Sequence, residues 1–387
     1  RFEDGKFGKG VLIEEGTTNL LTANMSSVET DLTGFGANLI TLSRDSTHSL
    51  FGDYSLKCVW NNTAGDANII VGTFTLQPST TYTWSCYVYS ETSIYIYGDA
   101  SFLQDIVSWK GFGNASTILL PAGKWVKISG TGTTHSDWSG SSILVLRPPI
   151  VDASASAYST VPIWIDGIQV EQKPYATSFI NGTRSPETLT IPTAGVFERG
   201  NWTIALTHQP TSSMTVGNKG KTLWQCFIDA NNYYQLLIGW VGEVILQVCS
   251  GGTLKQLVGY ADSQQAIGVN NHYVITGDGT TITLTVNGVQ QATSTYVEPV
   301  GTLPTNMYIG SDYYNGYFHC NGIIDEFRID KIARTDAEIA DWYNANEPST
   351  PDEYTTYLSH FDGSLSSEKL PYAYWESAPK DVSQASN

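Results

Sequence analysis

The chain has 387 residues, of which 41% are hydrophobic and 15% are charged, and its formal net charge is −17. This length predicts two or three domains that each bury a core, and the hydrophobic fraction excludes a disordered chain. The negative charge offers no basic surface to a nucleic acid backbone or an anionic membrane, so we expect neither as a partner.

Strand patterns follow one another along the chain. Short runs of alternating apolar and polar residues are separated by Gly, Asn, Asp and Ser clusters, which is typical of antiparallel β-sandwiches. These runs cover residues 82–90, 93–99, 124–133, 142–148, 162–171, 202–210, 233–240, 243–250 and 272–288. One helix is predicted over residues 335–345, where Thr335 and Glu338 form a capping box. The pattern therefore predicts an all-β protein with one short C-terminal helix.

Residues 18–183 resemble the bacterial carbohydrate-binding modules that fold as calcium-stabilised jelly rolls. The resemblance is carried by TTNLLTANMSSVETDLTGF (17–35), GDYSLKC (52–58), STTYTWSCYVYS (79–90), GKWVKISGTGT (123–133) and PIWIDGIQVEQKPYATSFINGTR (162–184). The last run is especially similar to modules of phage structural proteins and bacterial surface proteins. The resemblance implies a β-sandwich and, less specifically, a glycan ligand.

Residues 184–346 resemble the laminin-G-like family of concanavalin A-like jelly rolls. The resemblance is carried by ETLTIPT (187–193), FERGNWTIALTHQP (197–210), NNHYVITGDGTTITLTVNGV (270–289), TNMYIGSD (305–312) and NGIIDEFRIDKIARTDAEIADWY (321–343). The run KFGKGVLIEEG resembles the strand that directly precedes ETLTIPT in that family, so residues 1–17 are expected to supply the first strand. We therefore predict two antiparallel jelly-roll sandwiches, one inserted into the other. Residues 347–387 are expected to be a linker and a C-terminal strand or tail.

The strand at residues 82–90 carries Tyr87 and Tyr89 on the face opposite its apolar residues. A flat aromatic ring offers apolar contact to the C–H face of a sugar at little entropic cost. We therefore predict a concave stacking surface built from Tyr87, Tyr89, Tyr95, Tyr97 and Trp109. The alternative is that these rings are ordinary strand residues, favoured by β-propensity.

Two loops supply further candidates for carbohydrate binding. Trp138 lies in the polar loop HSDWSG and is predicted to be exposed, which would call for a partner. The loop at residues 311–319 brings Tyr313, Tyr314 and Tyr317 into a Gly- and Asn-containing segment. Loops on a rigid sandwich often carry function, so these tyrosines are predicted either to bind a glycan or to form a subunit contact.

The resemblance to carbohydrate-binding modules implies a structural calcium ion between Glu29 and Asp166. Calcium takes about six to eight oxygen ligands, so backbone carbonyls and Asp53 or Asp31 are expected to contribute. The family usually has Phe before this glutamate, whereas this chain has Val28.

Catalytic signatures are not evident in the sequence. The six histidines form no HExxH pattern, and no GxSxG motif occurs. Asp325, Glu326 and Asp330 have the wrong spacing for a glucanase, because adjacent strand residues point to opposite faces. We therefore predict no catalytic residues and no enzyme.

The predicted function is non-catalytic recognition of a polysaccharide or cell-surface glycan. The resemblances imply a phage virion appendage or a bacterial surface protein, and hence a virion or extracellular location. The alternative is a structural or assembly protein of a virion, such as a capsid decoration or a tail or fibre component. Its sandwiches would then form a homo-oligomer, for example a trimer, or contact other virion proteins. A third possibility is the accessory region of a glycoside hydrolase whose catalytic domain lies elsewhere.

Overall fold

The computed structural model describes residues 2–61, 67–96, 102–112, 117–153, 158–212, 220–239, 241–259, 266–313 and 318–361. The chain divides into two compact units: residues 1–16 with 185–387, and residues 17–184. We call the first the host unit and the second the inserted unit. Each has its own hydrophobic core. The limits predicted from the sequence for the inserted module are residues 18 and 183.

The chain begins in the host unit and then forms the inserted unit. The host unit starts with β1 (Phe2–Asp4) and β2 (Lys9–Ile13). The inserted unit contains β3 (Thr17–Thr18), α1 (Ala23–Ser27), β4 (Phe35–Asn38), β5 (Ile40–Asp45), β6 (Ser55–Trp60), β7 (Asn68–Thr75), β8 (Thr81–Tyr89), β9 (Ile94–Ile96), β10 (Phe102–Asp105), β11 (Gly111–Phe112), β12 (Ile118–Leu120), β13 (Val126–Thr133), β14 (Ser141–Leu146), β15 (Pro149–Ile150), β16 (Ile163–Glu171) and β17 (Thr183–Arg184).

The host unit then continues to the end of the described chain. Its elements are β18 (Leu189–Pro192), β19 (Asn201–Pro210), β20 (Lys221–Asp229), β21 (Asn232–Ile238), β22 (Val244–Ser250), β23 (Thr253–Gly259), β24 (Asn271–Asp278), β25 (Thr281–Val286), β26 (Val289–Thr295), β27 (Asn306–Ile309), β28 (Gly322–Asp330), α2 (Asp336–Ala345) and β29 (Thr355–Ser359).

The inserted unit is built mainly from two five-stranded antiparallel sheets. Their strand orders are β11-β10-β14-β7-β4 and β13-β8-β16-β6-β5, and a three-stranded sheet β12-β9-β15 and a two-stranded sheet β17-β3 accompany them. Alternate residues of β8, such as Trp84 and Cys86, enter the core together with Trp60, Val71 and Leu144. The other residues of β8 therefore lie on the outer face of its sheet.

The host unit has an eight-stranded and a six-stranded antiparallel sheet. The first has the order β1-β2-β28-β19-β24-β25-β26 with β29 paired to β28, and the second has the order β18-β27-β20-β21-β22-β23. The core contains Phe197, Trp202, Trp224 and Tyr234, whose rings contact one another mostly edge-on or at a tilt. This pooled aromatic area is a large part of the hydrophobic stabilisation of the unit.

The predicted all-β class with one short C-terminal helix is confirmed. Helix α2 begins after Thr335, whose side chain accepts from the backbone of Glu338 while the Glu338 side chain accepts from the backbone of Thr335. The helix packs Ile339 against Ala205 and Val274 on the outer face of the eight-stranded sheet. A second, five-residue helix, α1, was not predicted. None of the helices in the described part of the chain is long and apolar enough to cross a membrane.

Candidate functional site

The outer face of the β8 sheet in the inserted unit carries Tyr87 and Tyr89, but neighbouring rings cover both. His48 stacks on Tyr89 with 4.3 Å between ring centroids and an interplanar angle of 28°. Trp125 lies 5.5 Å from Tyr89, and Phe51 meets Tyr87 edge-on at 5.2 Å. Both tyrosines are half-buried. The face is thus packed by the chain itself and is a poor open platform for a sugar.

The other rings predicted for this surface lie elsewhere in the inserted unit. Tyr95 belongs to β9 of the three-stranded sheet, and Trp109 lies in the turn between β10 and β11. Tyr97 falls outside the described residues. The described rings of the predicted stacking surface are therefore divided between separate parts of the unit, and among them Tyr87 and Tyr89 share one face.

Trp109 lies in a turn that is stabilised by hydrogen bonds to the buried side chain of Asp105. The buried carboxylate of Asp105 accepts from the backbone N–H of Val107 at 2.8 Å and of Ser108 at 3.3 Å. Trp109 itself has a left-handed backbone, with φ of 59°, and its side chain is 72% exposed. The ring is accessible, but no other aromatic residue of the predicted surface accompanies it in this turn.

The prediction that Trp138 is exposed was wrong. The side chain is only 4% exposed, its Nε1 donates to Ser142 Oγ at 2.9 Å, and its ring lies 5.7 Å from that of Phe112. The cause is again Asp105, whose carboxylate accepts from the backbone N–H and the hydroxyl of Ser139. These bonds hold the polar loop against the sheet, and the indole is buried beneath it.

The two predicted calcium ligands hold a loop of the protein. Asp166 Oδ2 accepts from the backbone N–H of Leu50 at 2.8 Å and of Phe51 at 2.9 Å. Glu29 accepts from the N–H groups of Tyr54 at 3.1 Å and Asp53 at 3.2 Å. Burial raises the pKa of Asp166 to about 6 against these amide bonds, and the charge of Glu29 acts in the same direction as burial.

Calcium at this place stays a prediction, and the residues as arranged do not fit it. Calcium requires oxygen ligands, whereas the carboxylates of Glu29 and Asp166 face N–H donors. Asp53 contributes an amide here, and Asp31 is bonded to Asn24 and Thr33. No group of three or more His, Cys, Asp or Glu suited to a metal ion occurs among the described residues. The partial positive charges of backbone N–H groups therefore stabilise these two carboxylates.

The outer face of the six-stranded sheet in the host unit has a different character. Its register aligns four glutamines on neighbouring strands, which we call the amide row: Gln225, Gln235, Gln247 and Gln256. Beside them runs the aromatic row, which consists of Phe227, Tyr233, Cys249 and Leu254. Core residues such as Cys226 and Tyr234 alternate with these rows, so both rows point away from the core.

Tyr313 lies on this face and is the most accessible of the predicted tyrosines that the structure describes. Its ring stacks on Phe227 with a centroid distance of 4.4 Å and an angle of 16°, and Tyr308 meets it edge-on at 6.0 Å. The backbone N–H of Tyr313 donates to Gln225 Oε1 at 2.7 Å. The side chain is nevertheless 48% exposed. The ring is therefore held by two neighbouring rings and remains half exposed. Tyr314 and Tyr317 fall outside the described residues.

Sequence reasoning found Tyr313 but missed its surroundings. Tyr233 lies in a run that was predicted as a strand, Tyr308 lies in a run quoted only for the family resemblance, and the strand that carries Phe227 was not predicted. The only signal was the repeated position of Gln in adjacent alternating runs, and pairing register is needed to turn that repetition into a row.

The acidic residues of β28 all have structural partners. Asp325 accepts from the N–H groups of Lys6 and Phe7, and Glu326 lies 2.6 Å from His360 Nδ1. Asp330 accepts from both Arg328 and Arg334. All three carboxylates are buried. None of them flanks an accessible space as the two carboxylates of a glycosidase must.

A family model matches the second half of the chain, which forms most of the host unit. Residues 181–340 match the family model described as the concanavalin A-like lectin/glucanases superfamily. The laminin-G-like resemblance read from the sequence is thereby confirmed for this segment. No curated protein matches the chain.

Several solved structures share weak similarity with the chain. Domain 4 of AbnA, an extracellular arabinanase from Geobacillus stearothermophilus solved with arabinotriose, is 21% identical over 41% of this chain and 70% of its own, with a TM-score of 0.31. The CBM40 of the Ruminococcus gnavus IT-sialidase, bound to α2,3-sialyllactose, is 18% identical over 39% and 85%, with a TM-score of 0.33. The SAP-like pentraxin of Limulus polyphemus is 12% identical over 43% and 77%, with a TM-score of 0.32. Similarity this low assigns no ligand to the present chain.

Proposed function

We propose that the chain recognises carbohydrate without catalysis, and that the host unit binds the sugar on the outer face of its six-stranded sheet. Tyr313 carries the proposal. Its ring is half exposed, while Phe227 supports it from behind and Tyr308 supports it edge-on. A sugar that stacks on a ring fixed in this way orders little of the protein on binding, and this lowers the entropic cost of association.

Two further observations support recognition over hydrolysis. The family model that matches residues 181–340 covers lectins as well as glucanases. A glucanase needs two carboxylates on either side of the scissile bond, and the acidic residues of β28 are instead engaged in buried contacts. The setting that we propose is an extracellular surface, either on a phage virion appendage or on a bacterial surface protein.

An assembly role is the competing proposal, and the edge strands favour it. Strand β26 ends the eight-stranded sheet, and its Val289 is 61% exposed. An edge strand presents backbone N–H and C=O groups that can pair with another chain. In this role the sandwiches would join copies of the chain, for example into a trimer, or contact other virion proteins. Light scattering at several protein concentrations tests it, and Val289→Lys should dissociate an assembly formed through β26.

A glycan array with the purified chain, with calcium and with chelator, tests carbohydrate recognition. We expect saturable binding to one class of glycan. Tyr313→Ala should then weaken that binding by about tenfold or more, since a central aromatic side chain often contributes over 1.4 kcal/mol to an interface. Tyr313→Phe should bind nearly as well, because the stacking surface is kept.

Tyr343→Ala is the matched control for this experiment. Tyr343 is a comparably exposed tyrosine on helix α2, which packs on the other sheet of the host unit. Its removal should leave binding unchanged. Equal binding by Tyr313→Ala and Tyr343→Ala would contradict the proposed site. A blank array together with a defined oligomer would favour the assembly role.

A further inference from the structure

The outer face of the six-stranded sheet is organised in three parallel rows. The amide row lies between the aromatic row and a third, apolar row. Strand pairing defines the apolar row through Leu237, Ile245 and Val258. A strip of amides is thus bordered by apolar side chains on both sides. A sugar chain has the complementary pattern, because its hydroxyl groups lie at the ring edges and its C–H groups lie on the ring faces.

The rows run across the strands rather than along them. Gln225, Gln235, Gln247 and Gln256 come from four consecutive strands of the sheet, β20 to β23. Neighbouring strands lie about 4.8 Å apart, so the amide row is roughly 14 Å long. Each glutamine amide has two N–H donors and a carbonyl acceptor. The accessible members of the row therefore offer donors and acceptors on adjacent strands to a ligand that extends over more than one sugar unit.

The amide row is fixed at its inner end and open at its outer end. Gln225 is buried and accepts from the Tyr313 backbone, and Gln235 is buried and donates to Thr222 Oγ1 at 2.8 Å. Gln247 is half-buried, and Gln256 on the edge strand is exposed. The inner glutamines thus help to place Tyr313 and the strands beneath it. The outer pair faces solvent and is the accessible part of the row.

The charges of the protein favour a neutral polysaccharide over an acidic one as the ligand of this face. The three rows contain no Lys, Arg, Asp or Glu, and the chain as a whole has a formal net charge of −17. An acidic polysaccharide would meet no cation within these three rows and would be repelled by the overall field of the protein. A neutral glycan meets neither obstacle.

We propose that this face binds a neutral, linear polysaccharide that lies across the strands, from Tyr313 along the amide row to Gln256. The inference rests on the proposed function and specifies its ligand. The ring of Tyr313 is stacked above Phe227 with 4.4 Å between their centroids, so it rises above the plane of the sheet. This raised ring hinders flat packing of a second copy on the face but provides an end wall for a sugar chain.

The experiment compares soluble neutral polysaccharides (a β-glucan, a xylan and a mannan) with the acidic polygalacturonate by affinity electrophoresis. Calorimetry then follows oligosaccharides of increasing length from the polysaccharide that binds. We expect a neutral polymer to bind, with affinity rising with length and reaching a plateau once the row is spanned. Gln247→Ala and Gln256→Ala should each weaken binding of the longer oligosaccharides by about three- to tenfold, as expected for the loss of one or two hydrogen bonds.

Gln290→Ala is the matched control, because Gln290 is an exposed glutamine on edge strand β26 of the other sheet. It should bind as the unaltered chain does. The inference is overturned if both row variants behave like Gln290→Ala, if affinity is independent of length, or if the acidic polymer is preferred. If Tyr313→Ala still abolishes binding in those cases, the proposed function stands and only the ligand assignment fails. Dimerisation that Gln256→Arg abolishes would assign the face to a second copy of the chain.

Discussion

Replacement of Asp325 by Asn should change the pH dependence of stability in a direction that the structure specifies. Asp325 lies on β28 with only 2% of its surface exposed. Its Oδ2 accepts from Lys6 N at 2.9 Å and from Phe7 N at 3.2 Å, and so holds the turn between β1 and β2. Burial raises the pKa of Asp325 from 3.8 to about 6, against the bonds from these amides, and the charge of Glu326 adds to the effect of burial.

The size of the effect follows from this shift. A change of about two pKa units corresponds to about 3 kcal/mol, at 1.36 kcal/mol per unit. Because the folded chain holds this proton more tightly than the unfolded chain, the stabilising contribution is fully present below pH 4 and is lost as the pH rises to 6. Asn does not titrate. The free energy of unfolding of Asp325→Asn, relative to the unaltered chain, should therefore rise by about 3 kcal/mol between pH 4 and pH 7.

Urea unfolding followed by tryptophan fluorescence at several pH values measures this difference. Any constant cost of the Asn amide cancels, because only the trend with pH is compared. Asp278→Asn is an informative control, because the N–H groups of Thr281 and Thr280 hold the pKa of the exposed Asp278 below its usual value. Its relative stability should fall as the pH rises through the acidic range up to about the ordinary pKa of 3.8, and should then stay constant to pH 7. A flat difference for Asp325→Asn, or one that falls with pH, would refute the argument.

Three further substitutions test other parts of the structure. Trp138→Ala should lower the free energy of unfolding by about 3–5 kcal/mol in urea titrations, because a buried ring is lost, and unchanged stability would mean that the ring is exposed after all. Arg334→Ala leaves buried Asp330 with Arg328 alone and should cost about 3 kcal/mol by the same assay, whereas Lys9→Ala, which removes the exposed pair with Asp4, should have no measurable effect. Asp166→Ala should lower the melting temperature equally in calcium and in chelator, since the amides of Leu50 and Phe51 lose their acceptor; a loss confined to calcium would support the predicted ion.

Features that depend on neighbours in sequence were predictable. The alternation in residues 82–90 identified which side of β8 enters the core, because side chains on a strand alternate between its faces. The capping box of α2 needs only Thr335 and Glu338, three residues apart, and both of its hydrogen bonds are present. The sheet orders and the pairing registers were not accessible in this way.

Features that depend on distant partners were missed. Trp138 was predicted to be exposed because its loop is polar, but Asp105 holds that loop against the sheet through Ser139. The cysteines give a second example. Cys226 and Cys249 follow each other closely in strand-rich sequence, which makes a bridge conceivable, yet β21 lies between their strands, and Cys226 points into the core whereas Cys249 belongs to the outward-facing aromatic row. A shift of one residue in register reverses which face a side chain occupies, and local sequence does not determine that register.

The two units share one structural feature, which is a buried aspartate on a strand that accepts hydrogen bonds from the backbone of a loop. Asp166 and Asp325 each follow an isoleucine, and each accepts hydrogen bonds from two successive backbone amides of a loop in its own unit. The next residue, Gly167 or Glu326, has a positive φ near 55°, and the strand pairing is irregular at both places. A left-handed backbone costs a non-glycine residue such as Glu326 about 1–2 kcal/mol.

The hydrogen bonds that each aspartate makes offset this backbone cost. The irregularity turns each aspartate toward a loop, where it accepts hydrogen bonds from partly buried backbone amides that would otherwise lack this acceptor. In the inserted unit the loop held in this way carries Phe51, which covers Tyr87, and lies next to His48, which covers Tyr89. The hydrogen bonds to Asp166 therefore also help to cover the aromatic face that was predicted from the sequence to be open. Among the described tyrosines predicted to bind a glycan, Tyr313 is instead the most accessible, and its ring rests on Phe227.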